Sequence, residues 1–369
     1  MSLKVIDKTN NFPIKTETAV HSGKVRSVYW LTKQDSKRLI EQHDYNVSLD
    51  SELGVMIISD KISAFDCVWQ GENNLRGIPG KGAVLNAISS FWFNQFAANG
   101  FANNHIVDTP HPLVWIVQKV QPLKIEAIAR QYITGSMWRN YQQGERLISG
   151  IQLPDNLQKN QKLNKLLITP TTKGIINDIN GVSATEDANI SRKIIEDNYQ
   201  KFNFYCLEDI TKYEHLLTLG FNFISNKLAD IGQTFVDTKF EFGYANDAND
   251  NRHLIYIDEI GTPDSSRMWN THEYNNGNII EQSKEFFRQK LLNLVADADI
   301  LLNANKMQQR IKLAQDTLIP QAIFLEVSEQ YLNIAKQITR ENISIPEAPE
   351  EEITAILNEY QLLNYKGNN

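Results

Sequence analysis

Read with the period of two that a β-strand imposes, Asp237, Lys239 and Glu241 share one face of a strand, while Val236, Phe240 and Phe242 share the other. The first face would carry charge and the second would pack. A later strand-like run ends in Asp258 and Glu259, which alternate to opposite faces, so one of them can join a carboxylate across a hairpin. Two carboxylates on neighbouring strands, beside a lysine, suit a hard Mg²⁺ bound to nucleotide phosphates. A solvated sheet face with cross-strand Lys/Glu pairs has the same pattern, and alternation alone does not separate the two.

Other segments place cations where the chain turns. In Ser22-Gly23-Lys24-Val25-Arg26 the glycine lets backbone amides approach a phosphate, with cations at i and i+2. An ordinary turn before an edge strand reads the same way, and the chain has no Gly-x-x-x-x-Gly-Lys-Ser/Thr loop. Ile78-Pro79-Gly80-Lys81-Gly82 opens a helix, whose positive end together with Lys81 favours an anion. Arg130 offers a planar fork, Ser136 follows Gly135, and Arg267 closes the Pro-constrained Thr262-Pro263-Asp264-Ser265-Ser266 turn. Each alone suits a structural turn; together, in an acidic chain, they point to a ligand rich in phosphate. The histidines form neither a His-Glu-x-x-His pair nor part of a nucleophile elbow, and Cys67 and Cys206 read as buried thiols.

The elements that must position these residues follow from periodicity. Val55–Ser59 and Leu113–Val117 are short, β-branched and aromatic, as buried strands are, and a helix runs on from about Val84. Lys33 to Leu53 reads as a polar surface excursion, Gln142 to about Ser191 as a polar loop region, and Tyr199 to Asp230 as helical. Thr234–Phe242 and Leu254–Ile260, joined by turn formers, predict an antiparallel hairpin; from Ile280 onward the pattern is helical. Hairpin pairings with segregated helices predict an α+β fold. Its expected parts are a mainly antiparallel N-terminal sheet domain (1–118), a nucleotide-binding α/β domain (119–275) and C-terminal helices (276–369).

Composition bounds the rest. The 369 residues suffice for two or three domains at about 100–200 residues each. Against 37 basic residues stand 44 acidic ones, a net −7 that repels a nucleic-acid polymer. The start, Met1-Ser2-Leu3-Lys4-Val5-Ile6-Asp7, has no signal-peptide core, no run is long enough to span a membrane, and two distant cysteines fit a reducing cytoplasm.

Taken in order, these segments resemble the SAICAR synthetase family of purine biosynthesis. The resemblance rests on Gly23-Lys24-Val25-Arg26-Ser27-Val28-Tyr29, Ser59-Asp60-Lys61-Ile62-Ser63-Ala64-Phe65-Asp66, Ile78–Gly82, Arg130-Gln131-Tyr132-Ile133-Thr134-Gly135-Ser136-Met137-Trp138, Thr169–Lys173, Asp237–Gly243 and Asp258–Arg267. It covers about residues 20 to 270. The family joins the carboxylate of the aminoimidazole ribonucleotide CAIR to the amine of L-aspartate, driven by ATP, giving SAICAR, ADP and phosphate. A small-molecule kinase with a related nucleotide-binding sheet is the alternative, and it would lack the ligation step.

The resemblance implies that Glu241 and Asp258 hold Mg²⁺ and that the Gly23-Lys24 loop covers the ATP phosphates, with Lys24 and Arg26 as charge partners. It implies a base contact along Gln118 to Val120 and adds Lys81 to the ATP-binding set. Arg130, Ser136 and Arg267 would hold the ribonucleotide 5′-phosphate, Lys173 and Lys239 would lie near the reacting carboxylate, and Asp66 near the substrate base or ribose. The chain departs from the family pattern at Lys61, where arginine is common, and at Glu186, where histidine is usual.

Overall fold

The computed structural model describes residues 4–364; Met1 to Leu3, part of the stretch read for a leader, lie outside them. The molecule is built around one long strand, Gln233–Asn246. It pairs antiparallel with Ile125–Tyr132, with Arg252–Ile257, with Ser266–Asn270 and with Gln121–Pro122. A second antiparallel sheet orders His21–Ser22, Arg26–Trp30, Leu53–Ile58, Val114–Gln118 and Ile106–His111. Mixed helices and antiparallel sheets are the α+β arrangement that the sequence predicts. No helix among the described residues is long and apolar enough to cross a membrane.

Helix Lys81–Ala98 is buried on most sides, including Val84, Leu85, Ile88, Trp92 and Phe96. Its start is tied down by Asp60, whose carboxylate accepts from Gly82 N at 2.9 Å and from Ile6 N at 3.0 Å. Burial pushes the Asp60 carboxyl up to about 6 in spite of those bonds. Helix Gln321–Thr339 packs on Lys81–Ala98. It buries Phe324, Val327, Tyr331, Ile334 and Ile338 at helical spacing. Buried side chains from Ile6 to Leu363 form one contiguous core.

Four local readings are corrected. Lys33 to Leu53 contains helix Lys33–His43, started by Thr32 Oγ1 accepting from Asp35 N at 3.0 Å and anchored by buried Leu39 and Ile40; its apolar stripe is too narrow to stand out. The polar region from Gln142 to Ser191 contains strand Lys162–Ile168, which pairs with Ile125–Tyr132 and helps enclose a small core of Ile133, Met137, Tyr141 and Leu163. Val236 does not share a face with Phe240, because a bulge between Phe235 and Asp237 turns it toward Tyr132 and Trp269 while Phe235 packs on Phe221. The hairpin's second strand stops at Ile257, and Asp258 (φ 61°) lies in a turn instead of alternating with Glu259. Cys67 is buried as expected, whereas Cys206 is only partly so.

That turn depends on Gly261, which has φ +61°; a Cβ there would lie 2.6 Å from Trp92 Nε1 and 3.0 Å from Ile224 Cδ1. Gly261→Ala combines backbone strain with a steric clash, so it should destabilise the protein by about 2 kcal/mol or more. Denaturant unfolding checks this; a loss below about 0.5 kcal/mol would show that the turn relaxes freely.

Candidate active site

The pairing of Asp237 with Arg130 and of Lys239 with Ile128 sets Glu126 and Arg130 beside the charged face of the long strand. The opposite face sends Ala127, Ala129, Phe240 and Phe242 into the core. Lys239 Nζ lies 2.9 Å from Glu126 Oε1 and 2.7 Å from Glu241 Oε1, and Lys173 pairs with the other oxygen of Glu241. Burial alone would raise the Glu241 carboxyl, but Lys239 and Lys173 outweigh it and hold it below the ordinary carboxylate value. Burial likewise opposes the Lys239 charge, and Glu241 with Glu126 overcomes it, holding Lys239 well above the ordinary lysine value.

At one end stands Arg26. Its NH1 is 2.6 Å from Asp258 Oδ1 and its NH2 is 2.8 Å from Glu259 Oε2, so one fork draws both carboxylates together. The loop before it is closed by Gly23 N donating to Arg26 O at 2.8 Å, and Ser59 N holds Val25 O at 2.8 Å. Lys24 is half exposed, 3.4 Å from Asp66 Oδ1.

At the other end Asp237 is shared. Its Oδ2 lies 2.6 Å from Arg267 NH1 and 3.4 Å from Arg130 NH1, while Arg130 Nε donates to Thr169 Oγ1 at 2.9 Å. Burial lowers the Arg130 value, and Arg267 lowers it further against the pull of Asp237. Gly135 (φ +57°) is needed here, since a Cβ would sit 2.6 Å from Arg267 NH2. It lets the arginine lie against the start of helix Gly135–Gln142, where Ser136 is exposed.

A cavity of about 580 Å³ joins these ends, lined by Lys24, Arg26, Asp66, Ser136, Lys239, Asp258 and Arg267 among the sequence-predicted residues. An adjoining space of about 290 Å³ adds Arg130 and shares Ser136, Lys239 and Arg267. Glu241 and Lys173 attach through Lys239. A larger depression of about 790 Å³, bordered by Lys4, Arg76 and Glu350, contains none of them.

Of the predicted ATP residues, Gly23 adjoins the cavity only through its neighbour Lys24, and three others are not brought to it. Lys81 is fully buried, 2.9 Å from Asp264 Oδ2, and so underpins the cavity wall. Gln118 donates to Ser51 Oγ and Asn246 O, both at 2.8 Å, and Val120 packs on Ala245, Ile255 and Ile257.

The structure adds residues that the motifs did not single out. Asp264 receives Lys81, Lys284 at 3.4 Å and the Tyr331 hydroxyl at 2.7 Å. Glu285 bridges Arg267 and Arg288, each at 3.2 Å. Asp187 lines the cavity beside Glu186; burial, with Glu126 and Asp66 nearby, pushes its carboxyl up to about 6. Period-two spacing from Arg130 could have found Glu126. Lys284 and Arg288 had no signal until their helix was placed.

Glu241 faces Ile257 across the hairpin, so Asp258 follows immediately beyond its partner. Both are ionisable ligands of the hard type that Mg²⁺ takes. Among the described residues no group of three or more His, Cys, Asp or Glu is placed to hold a metal ion.

The SAICAR synthetase family model matches residues 19–303. The chain is 57% identical over 365 residues to the phosphoribosylaminoimidazole-succinocarboxamide synthase of Aliivibrio fischeri (strain MJ11), covering 99% of this chain and 100% of that one. It is similar in fold to a SAICAR synthase from Saccharomyces cerevisiae complexed with SAICAR, with a TM-score of 0.64 at 23% identity over 90% of this chain and 99% of that one. A SAICAR synthetase in complex with ADP aligns with a TM-score of 0.54 at 19% identity over 88% and 99% of the two chains. The chain belongs to the SAICAR synthetase family.

Proposed function

We propose that the cavity between Arg26 and Arg267 performs the ATP-dependent joining of the CAIR carboxylate to the amine of L-aspartate, releasing SAICAR, ADP and phosphate. The observation that carries this reading is the single cavity that runs from Arg26 past Lys239 to Arg267, where Lys239 pairs with Glu241 and Glu241 with Lys173. One end suits a polyphosphate, the other a sugar phosphate, and the reacting carboxylate falls between.

A carboxylate is a poor acyl donor. Transfer of the γ-phosphoryl group to a CAIR carboxylate oxygen gives an acyl phosphate and ADP; attack by the aspartate amine then forms the amide as the C–O bond to phosphate breaks and the amine loses a proton. Lys24 and Arg26 hold the ATP phosphates, and Asp258 and Glu259 already orient the Arg26 fork. Mg²⁺ on Glu241 and Asp258 would supply neutralisation of phosphate charge. Lys239 and Lys173 lie where negative charge accumulates. Lys239 acts there by its charge, held between Glu241 and Glu126. Arg130, Ser136 and Arg267 bind the 5′-phosphate, with Asp237 fixing both guanidinium groups.

An ADP-release assay with CAIR and aspartate omitted in turn tests the ligase reading. Sustained ADP release should require all three substrates and match amide formation; equal sustained release without aspartate would identify a kinase. Glu241→Gln and Asp258→Asn should each lower kcat by about a hundredfold or more while the far-ultraviolet dichroism stays unchanged. Near-normal turnover at saturating Mg²⁺ would remove that residue from the metal assignment. Arg130→Ala loses a charged hydrogen bond of about 2 kcal/mol, so the KM for CAIR should rise roughly thirtyfold. The KM for ATP should stay within about threefold. Parallel losses for both substrates would contradict the phosphate role.

A further inference from the structure

The strands Ile62–Ala64 and Cys67–Gly71 form a hairpin whose register pairs Ala64 with Cys67, leaving only Phe65 and Asp66 in the turn. Both are left-handed, with φ of 52° and 61°. Two-residue turns of this hand favour Asn-Gly, because a side chain at positive φ crowds the backbone, and a bulky aromatic residue is rarely found there. Neither residue is glycine, yet Phe65 and Asp66 both line the cavity.

The restraint comes from Arg310, on helix Met307–Asp316 and only 5% exposed. Its NH1 donates to Phe65 O at 3.2 Å and lies 3.5 Å from Asp66 Oδ2. The rest of the fork anchors elsewhere: Nε donates to Ile300 O at 3.2 Å and NH2 to Asn303 O at 2.9 Å. Just after the helix, Leu318–Ile319 pairs in parallel with Gln70 and Gly71 of the same hairpin, fixing the helix against it a second time. The other oxygen of Asp66 faces Lys24 at 3.4 Å. Arg310 lies beyond residues 19–303, the stretch matched by the family model.

We infer that Arg310 is a positioning residue for Asp66: its guanidinium holds the Phe65–Asp66 turn in the left-handed conformation that presents the carboxylate to the cavity beside Lys24. The segment after residue 303 is thereby part of the substrate-binding apparatus. The kinetic side of the inference rests on the proposed function and on the place near the substrate base or ribose that the family resemblance implies for Asp66; the conformational side does not.

The test uses the full chain carrying Arg310→Met, Arg310→Lys, Asp66→Asn, or Arg310→Met with Asp66→Asn. Steady-state kinetics are measured for each substrate, and amide hydrogen exchange across residues 62–68. Arg310→Met should raise the KM for CAIR about tenfold with kcat within about threefold, and speed exchange at Ala64 and Cys67, the pair that closes the turn. Arg310→Lys, which keeps the charge but not the fork, should recover part of both effects. The double variant should be no worse than Asp66→Asn alone, since the two residues would act through one carboxylate. Unchanged exchange at the turn, or losses that multiply in the double variant, would overturn the inference. If Asp66→Asn leaves the KM for CAIR unchanged while Arg310→Met still speeds exchange, the brace stands and the assigned role of Asp66 fails. If Arg310→Met does not fold, Arg310→Lys gives the decision: parent-like exchange and kinetics would overturn the inference, and smaller shifts of the same kind would support it.

Discussion

An ionised carboxylate inside a sheet must meet a cation or be protonated, and the strand Gln233–Asn246 buries Asp237 and Glu241 on one face. Much of the architecture answers that demand. Asp237 takes Arg130 from one neighbouring strand and Arg267 from another, while Glu241 takes Lys239 from its own strand and Lys173 from beyond Thr171–Thr172. Removing one partner of a buried pair commonly costs about 3–5 kcal/mol, because the remaining charge is left uncompensated. Strand order, register and pocket chemistry are therefore coupled: a one-residue slip would send the charged side chains into the aromatic core.

The same demand extends outward. Asp264 lines the cavity and is held there by Lys81, Lys284 and Tyr331, drawn from helices far apart in sequence. Burial disfavours its charge, but the two lysines hold its carboxyl well below the usual range. Lys81 thus acts from beneath the cavity, stabilising the turn that carries Arg267.

What could be read from the chain beforehand was whatever repeats locally. Alternation at Asp237, Lys239 and Glu241 gave the charged face, and the ordered motifs pointed to the family, its fold and its reaction. Val236 was misplaced because a bulge leaves no mark in a period-two pattern, and Asp258 because a left-handed residue after a strand looks like one more strand residue. Helix Lys33–His43 and strand Lys162–Ile168 were hidden by polar surfaces, their burial being decided by partners distant in sequence. Lys284, Arg288 and Arg310 lie on helices whose sequence shows amphipathic character but not which element they will face. Tertiary placement, not residue type, makes them neighbours of the cavity.

The cations at Arg26, Lys239 and Arg267 are already engaged by carboxylates of the same chain. An anion arriving there must use the donors these carboxylates leave over or compete with the carboxylates for the rest. A singly charged, loosely hydrogen-bonding ion such as chloride gains too little to displace a hydrogen-bonded carboxylate, whereas a phosphate group offers more charge and more acceptor oxygens to the same fork. Internal pairing of this kind acts as a filter, because a lining whose basic side chains are matched by acidic ones offers the commonest inorganic anions little net attraction.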